Sequence, residues 1–232
     1  MSNVNKEVLF GMTKDHLIFD ESIKRYFHKD SYNDFQEFKK YAHENGIDFY
    51  VTSSFRSFED QLRIWNEKCE GKRPIYNREG VELDVEKLSS HEIVKSIINW
   101  SALPGTSRHH WGTELDVVDG NSWPQGYHIQ LIPSEFEKDG PFYEFGQWLN
   151  KQIEEQKSYS YYRPYLEDLG GVAPEAWHIS YAKISAKYHK QYTYEIFCEL
   201  LEHEKMRELT FLDEVKANSQ HIYDHFFKKL LA

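Results

Sequence analysis

Between Ser31 and Asn45 the apolar side chains Phe35, Phe38, Tyr41 and Ala42 recur at intervals of three and four residues, the period of one helix face. Ser31 stands where an N-cap is expected and Gly46 where a helix stops. The segment from Ile47 to Ser53 then predicts a strand. Ser57-Phe58-Glu59-Asp60 opens a second helix, whose apolar face continues through Leu62, Trp65 and Cys69 up to Gly71. Phe55 and Arg56 therefore fall at a strand-to-helix junction, a place from which side chains are readily presented to a cleft.

Residues 71–88 are polar and rich in turn formers, which predicts a loop before a helix from Ser89 to Trp100; Pro104-Gly105 ends that element. Thr113 to Val118 alternates and is rich in β-formers, so it predicts a strand, closed by the turn Asp119-Gly120-Asn121. Residues 121–139 read as an irregular insertion. Helix resumes near Pro141 and runs to about Gln156, with Phe142, Phe145, Trp148, Leu149 and Ile153 on one face. Gly170-Gly171 and Pro174 form a turn ahead of a short strand, Trp177 to Tyr181. From Ala182 the pattern is helical to the end, with Ile196, Leu200, Leu201, Leu209, Leu212, Val215, Ile222 and Phe226 available for packing. Strands mixed with segregated helices predict an α+β fold: a small antiparallel sheet flanked by helices, with a helical C-terminal tail.

The length, 232 residues, suits one generous domain. We place its body at residues 1–185 and treat 186–232 as a helical extension packed on it. With 40% hydrophobic and 28% charged residues, the chain has the makeup of a globular protein rather than a disordered one. Its apolar runs are too short to span a bilayer, and the N-terminal stretch lacks the basic and apolar regions of a signal peptide. The expected location is the compartment of synthesis, or the cell envelope if a leader has been removed.

A formal net charge of -10 with no basic block argues against a nucleic-acid partner. Cys69 and Cys198 are far apart and each sits in a helical segment, so neither a disulfide framework nor a thiolate zinc site is expected. The aromatic content, 16%, falls mostly at helix or strand periodicities and is read as core rather than as a sugar-stacking surface.

Chemistry concentrates in two segments. Ser107-Arg108-His109-His110-Trp111-Gly112-Thr113-Glu114-Leu115-Asp116 places imidazoles just before a predicted strand and a carboxylate within it. Gly112 lets the backbone bend between them. Glu175-Ala176-Trp177-His178 offers another imidazole at a strand entrance, with a carboxylate three residues earlier. Two His and one Asp form a reasonable ligand set for a catalytic zinc ion, and a nearby Glu outside that set suits a general base. On composition alone His109 and His110 compete for the same ligand role.

Ser107-x-His109-x-x-Gly112-x-x-x-Asp116 followed by Glu175-x-Trp177-His178 resembles the paired signature motifs of the metallopeptidase group named after lysostaphin, D-Ala-D-Ala metallopeptidases and sonic hedgehog. Within that group the chain is most similar to the D-Ala-D-Ala carboxypeptidase branch, from about Ser31 to Tyr181. The resemblance implies one zinc ion on the sheet, held by His109, Asp116 and His178, with Glu175 as catalytic base. It matches Ser53-Ser54-Phe55-Arg56-Ser57 to a segment whose arginine lies beside the scissile carbonyl, so Arg56 is expected to stabilise the oxyanion. Ser107 and Gln61 are expected to hold the substrate peptide or its terminal carboxylate. The implied activity is removal of a C-terminal D-amino acid from peptidoglycan stem peptides. The alternatives are a cell-wall endopeptidase and a zinc-bearing binding module without turnover. The chain departs from the family pattern at Glu114, where a small residue is usual. Positions 114 and 116 of a strand share a face, so an extra carboxylate is expected beside Asp116, recognising a cationic substrate group or pairing with Arg108 or another local base.

Overall fold

The computed structural model describes residues 4–229. The described chain begins with a short helix, α1 (Lys6–Leu9), and a hairpin of β1 (Leu17–Asp20) and β2 (Arg25–His28) that no sequence pattern had indicated. Helix α2 (Tyr32–Glu44) leads into β3 (Phe49–Ser53), and α3 (Phe58–Cys69) into a two-residue-per-arm hairpin, β4 (Ile75–Tyr76) and β5 (Glu82–Leu83). Helix α4 (Ser90–Ile98) is followed by β6 (Glu114–Asp119), α5 (Tyr143–Glu154), β7 (Tyr161–Tyr162) and β8 (His178–Tyr181).

Of the two caps that the sequence implies, Ser57 forms and Ser31 does not, and Ser89, expected as the first residue of a helix, is a cap as well. Ser57 Oγ accepts from the Asp60 N–H at 3.1 Å, and Ser89 forms a reciprocal capping box with Glu92. Ser31 precedes α2 as expected, but its hydroxyl donates to the His28 carbonyl at 2.9 Å instead of capping, which ties the helix to the hairpin.

Strands β3, β6, β8 and β7 form one antiparallel sheet in that order. In its register Asp116 lies opposite His178 on one side and Ser53 on the other, while Glu114 faces Ser180. Every residue of β6 and β8 is buried, because each face of the sheet is covered. One core packs α2 and α5 on the sheet through Phe35, Phe38, Phe49, Phe145, Leu149 and Ile179. The expected small sheet with flanking helices is the fold observed.

The tail is helical in pieces: α6 (Ala182–Gln191), α7 (Tyr194–Leu201), α8 (Leu212–Ala217) and α9 (Ser219–Ile222), the last running into a π-helical turn at Tyr223–Phe227. It is not continuous. Thr193 starts a new helix by capping Ile196 N–H, and Phe211 adopts a positive φ of 64° before α8. The last three residues of the expected helix lie outside the described region. Phe197, Leu200, Leu201, Met206, Val215 and Phe227 share a second core with Phe58, Trp65, Ile97 and Trp111 from the first half of the chain. Trp65 Nε1–H also donates to the Thr210 carbonyl at 3.1 Å. Among the described residues no helix is long and apolar enough to cross a membrane.

Candidate metal centre and cleft

The Ser107–Asp116 segment makes a single tight passage from loop to strand. Arg108–Trp111 forms one 3-10 turn, and Gly112 ends it at φ 67°. A Cβ at Gly112 would lie 2.9 Å from the His28 backbone nitrogen, so both the left-handed φ and the close approach of the β2 end require glycine. The His28 N–H donates to the Gly112 carbonyl at 2.7 Å and fastens this turn to the first hairpin.

Within the turn the two neighbouring histidines have different fates. His110 donates from Nδ1 to the Arg56 carbonyl at 2.7 Å and accepts the Gly105 N–H on Nε2 at 2.9 Å, so neither nitrogen is free for an ion. His109 donates from Nδ1 to the Ser54 carbonyl at 2.7 Å, which leaves the lone pair of Nε2 facing Asp116 Oδ2 at 3.4 Å. The competition that composition left open is thus decided by hydrogen bonding.

His178 enters from β8, opposite Asp116. Its Nε2–H donates to Glu114 Oε2 at 2.8 Å, while Nδ1 lies 3.1 Å from Asp116 Oδ1 and 3.4 Å from Glu175 Oε2. Ligand atoms of His109, Asp116 and His178 all fall within 4.8 Å of one another, and all three residues are buried. A neutral imidazole that gives its one proton to Glu114 turns a lone pair toward two carboxylates, an arrangement that a cation between them satisfies. The donor set, two imidazole nitrogens and a carboxylate, is that of a catalytic zinc site.

The electrostatics agree. Burial alone would lower the His178 pKa, but hydrogen bonds to Asp116 and Glu114 push it up to about 10, so a proton on Nδ1 takes the place that a cation between Nδ1 and Asp116 would fill, and the ring is neutral only when such a cation displaces that proton. Asp116 is held well below the usual carboxylate range: burial opposes ionisation, and the His109 and His178 rings outweigh it. Burial raises the Glu175 carboxyl to about 7, with Asp116 adding to the rise and His178 and Arg56 opposing it. A carboxyl poised there can take and return a proton near neutrality.

These groups lie on the wall of a cleft of about 560 Å³ that also takes in Arg56, Lys68, Ser107, Tyr165 and Trp177. One rim is the β4–β5 hairpin region with Tyr76, Arg78 and Glu79; the other is the insertion, with Leu131 and Ile132. The insertion is irregular, as expected, yet firmly built. The buried Glu135 carboxylate accepts from the N–H groups of Gln130, Leu131 and Ile132 at 2.8 to 3.3 Å and from the Tyr127 hydroxyl at 2.7 Å.

Arg56 reaches the cleft from the β3–α3 junction. Its guanidinium donates to Gln61 Oε1 at 2.8 Å and Ser53 Oγ at 3.3 Å. Gln61 departs from its expected place in the substrate site. It is fully buried behind Arg56, and its amide nitrogen donates to the Ala102 carbonyl at 2.6 Å, so its donors and acceptor are engaged within the protein. Glu114 is likewise not at the cleft wall; it is fully buried and pairs with Arg108, which removes the reading that it recognises a cationic substrate group.

Lys68 and Tyr165 line the cleft beside the candidate ligands, and no sequence pattern marks either as a site residue. Lys68 lies in the last turn of α3, next to its final residue, and has no ion-pair partner among the described residues; burial lowers its pKa to about 8, helped by the Arg56 charge. Its only sequence signal was a basic residue in the last helical turn, which is ordinary on a solvated face. Tyr165 stacks edge-on against His178 at 4.8 Å between ring centres, and its carbonyl accepts the Glu175 N–H at 2.8 Å.

A family model for VanY, D-alanyl-D-alanine carboxypeptidase, matches residues 24–184. Two uncharacterised proteins of Haemophilus influenzae are similar in sequence. One is 34% identical over 96 residues, covering 40% of this chain and 71% of the relative; the other is 33% identical over 100 residues, covering 42% and 68%. Among solved structures, VanYB in complex with D-alanine-D-alanine superposes with a TM-score of 0.51 at 21% identity, covering 75% of this chain and 82% of that one. A zinc complex of a variant of the vancomycin resistance D,D-pentapeptidase VanY gives the same TM-score and identity, over 76% of this chain and 87% of that one. The fold is therefore that of the VanY-type peptidases.

Proposed function

The chain belongs to the VanY family of D-alanyl-D-alanine carboxypeptidases, and from that premise we propose that the cleft is the active site of a zinc-dependent carboxypeptidase that releases a C-terminal D-amino acid from peptidoglycan stem peptides. The observation that carries this reading is the convergence of His109, Asp116 and His178 beside Glu175 in the cleft. One zinc ion would be held by His109 through Nε2, Asp116 through its carboxylate and His178 through Nδ1. When bound, the ion supplies Lewis acidity to the scissile carbonyl and makes water a stronger acid.

The chain's own groups do the rest. Glu175 accepts the proton of the attacking water as the C–O bond forms, and returns it to the departing amine as the C–N bond breaks. Arg56 points a fixed positive charge at the carbonyl oxygen as it becomes negative; Gln61 and Ser53 hold the guanidinium in place for that task. Lys68 and Ser107 receive the free carboxylate of the peptide, since both line the cleft and Lys68 has no ion-pair partner among the described residues. The fold relative captured with D-alanine-D-alanine supports a dipeptide terminus as the recognised unit.

Family membership favours this over the endopeptidase and over a binding module without turnover. Defined stem pentapeptides and tetrapeptides, incubated with zinc-loaded protein and followed by mass detection, test it. Loss of a single terminal residue is expected. Internal cuts alone would indicate an endopeptidase, and binding of wall fragments without cleavage would indicate the binding module.

A further inference from the structure

Glu114 has no part in the mechanism above, yet it is the carboxylate most deeply embedded in the site. Its exposure is 0%, and it stands on β6 two residues before Asp116, on the same strand face. One oxygen, Oε2, accepts the Nε2–H of His178 at 2.8 Å. The other, Oε1, accepts from Ser180 Oγ at 2.7 Å, Thr113 Oγ1 at 3.0 Å and Arg108 Nη2 at 3.3 Å. Arg108 is itself buried, and its Nη2 also donates to Ser180 Oγ at 2.7 Å and the Tyr162 hydroxyl at 3.0 Å. Ser180 faces Glu114 directly in the β6–β8 register, so the strand pairing that sets Asp116 against His178 also sets the support for Glu114.

An ionised carboxylate only accepts, so the contact at Oε2 fixes the proton of a neutral His178 on Nε2 and turns the Nδ1 lone pair toward Asp116 and Glu175. Flipping the ring would exchange both nitrogens for carbons and lose the bond to Glu114. A second neutral tautomer would place a proton on Nδ1 and a lone pair against Glu114, leaving two acceptors face to face. The Arg108 pair lets the carboxylate stay charged without water. Breaking such a pair in a buried setting leaves an uncompensated charge, which explains why the oxygen not used by His178 is so fully engaged.

We propose that Glu114 is a positioning residue of the metal centre: through His178 Nε2 it locks the tautomer and orientation of that ligand and tightens binding of the divalent cation, with Arg108 and Ser180 holding the carboxylate in place. The proposal rests on His178 being a ligand, so the test separates the two. It predicts a role in metal affinity for a residue that touches neither metal nor substrate, as outer carboxylates do in other histidine–metal sites.

Zinc dissociation constants of His178→Ala, Glu114→Gln and Glu114→Asp are measured by chelator competition. Circular dichroism of the metal-free forms checks folding, and Co²⁺ absorption spectra report ligand geometry. Glu114→Asp keeps the charge that Arg108 needs and withdraws the carboxylate from His178; Glu114→Gln keeps the reach and removes the charge. Each folded Glu114 variant is expected to bind zinc about 10 to 100-fold more weakly and to shift the Co²⁺ bands, a change that loss of a merely structural ion pair does not produce. If His178→Ala loses zinc while both Glu114 variants match the wild-type constant and spectrum, Glu114 is only a partner for Arg108 and the proposal is overturned. If His178→Ala also binds zinc like the wild type, the ligand assignment beneath it is wrong.

Discussion

His109 and Ser54 are joined by a hydrogen bond of 2.7 Å from Nδ1 to the carbonyl oxygen. Arg56 answers two residues later, its N–H donating to the His109 carbonyl at 3.2 Å and its own carbonyl accepting from His110. The strand-to-helix junction that carries the arginine and the turn that carries the first imidazole are therefore braced against each other. Arg56 and His109 thereby hold a fixed separation without sharing a strand.

That bracing divides the histidines by consequence. Protein purified without added metal is expected to contain about one zinc per chain. His109→Ala and His178→Ala are expected to lose it, whereas His110→Ala keeps it but unfolds at lower temperature, because a buried backbone N–H and carbonyl lose their partner. Elemental analysis with thermal unfolding checks both; full metal content in His109→Ala would move the site elsewhere.

Glu175→Gln preserves size and polarity and cannot take a proton. It is expected to retain its zinc and its fold while hydrolysis of stem peptides drops by ~100 to 10,000-fold. Equal turnover by the variant and the wild type would remove Glu175 as the base.

Arg56 and Lys68 share a cleft wall but are assigned different moments of the reaction. Arg56→Ala should lower kcat by ~100 to 1,000-fold with a smaller change in KM. Gln61→Ala should show a weaker form of the same pattern, since it acts by holding the guanidinium. Lys68→Ala should chiefly raise KM, as loss of ground-state carboxylate binding does. Steady-state kinetics on one pentapeptide decides the matter, and a pure KM effect for Arg56 would exchange the two roles.

Away from the cleft, burial holds His16 and His28 at about 4, with each ring's charged surroundings adjusting that depression. Unfolded, they titrate near 6.5, so between those values the unfolded chain binds more protons and stability falls as pH is lowered. Each ring should contribute on the order of 1 to 2 kcal/mol of this loss from pH 6.5 down to 4. Urea unfolding in the presence of EDTA, comparing wild type with His16→Asn and His28→Gln, isolates the effect from metal release. Parallel pH slopes in all three proteins would refute it.

The helices were legible because their signals are local, and the family resemblance singled out His109, Asp116 and His178, which the structure brings together. Ser57 caps where its side chain suggests, and motif spacing puts His109 and Asp116 on either side of a glycine that the backbone does need. The hairpin of Leu17–Asp20 and Arg25–His28 was not legible: its arms are four residues long, and only one residue of the first is buried, so no alternation emerges. Lys68 and Gln61 sit on one amphipathic helix, and only tertiary contacts decide that one faces the cleft and the other backs Arg56. Glu114 was visible as an extra carboxylate, but its partner His178 lies across a strand pair and many residues away in sequence. The tail looked continuous because apolar spacing survives breaks at Thr193 and Phe211 that capping and a single positive φ impose.

The register of β6 against β8 has a further consequence. Side chains alternate along a strand, so a pairing slipped by one residue would retain most backbone hydrogen bonds yet bring Ile179 to the place of His178 and bury the imidazole in the apolar core. Such a chain could pass a test of secondary structure and still be chemically silent. On the proposed ligand set, metal uptake thus serves as an assay of folding fidelity: the fraction of a preparation that captures the ion counts the molecules whose two strands met in the right frame.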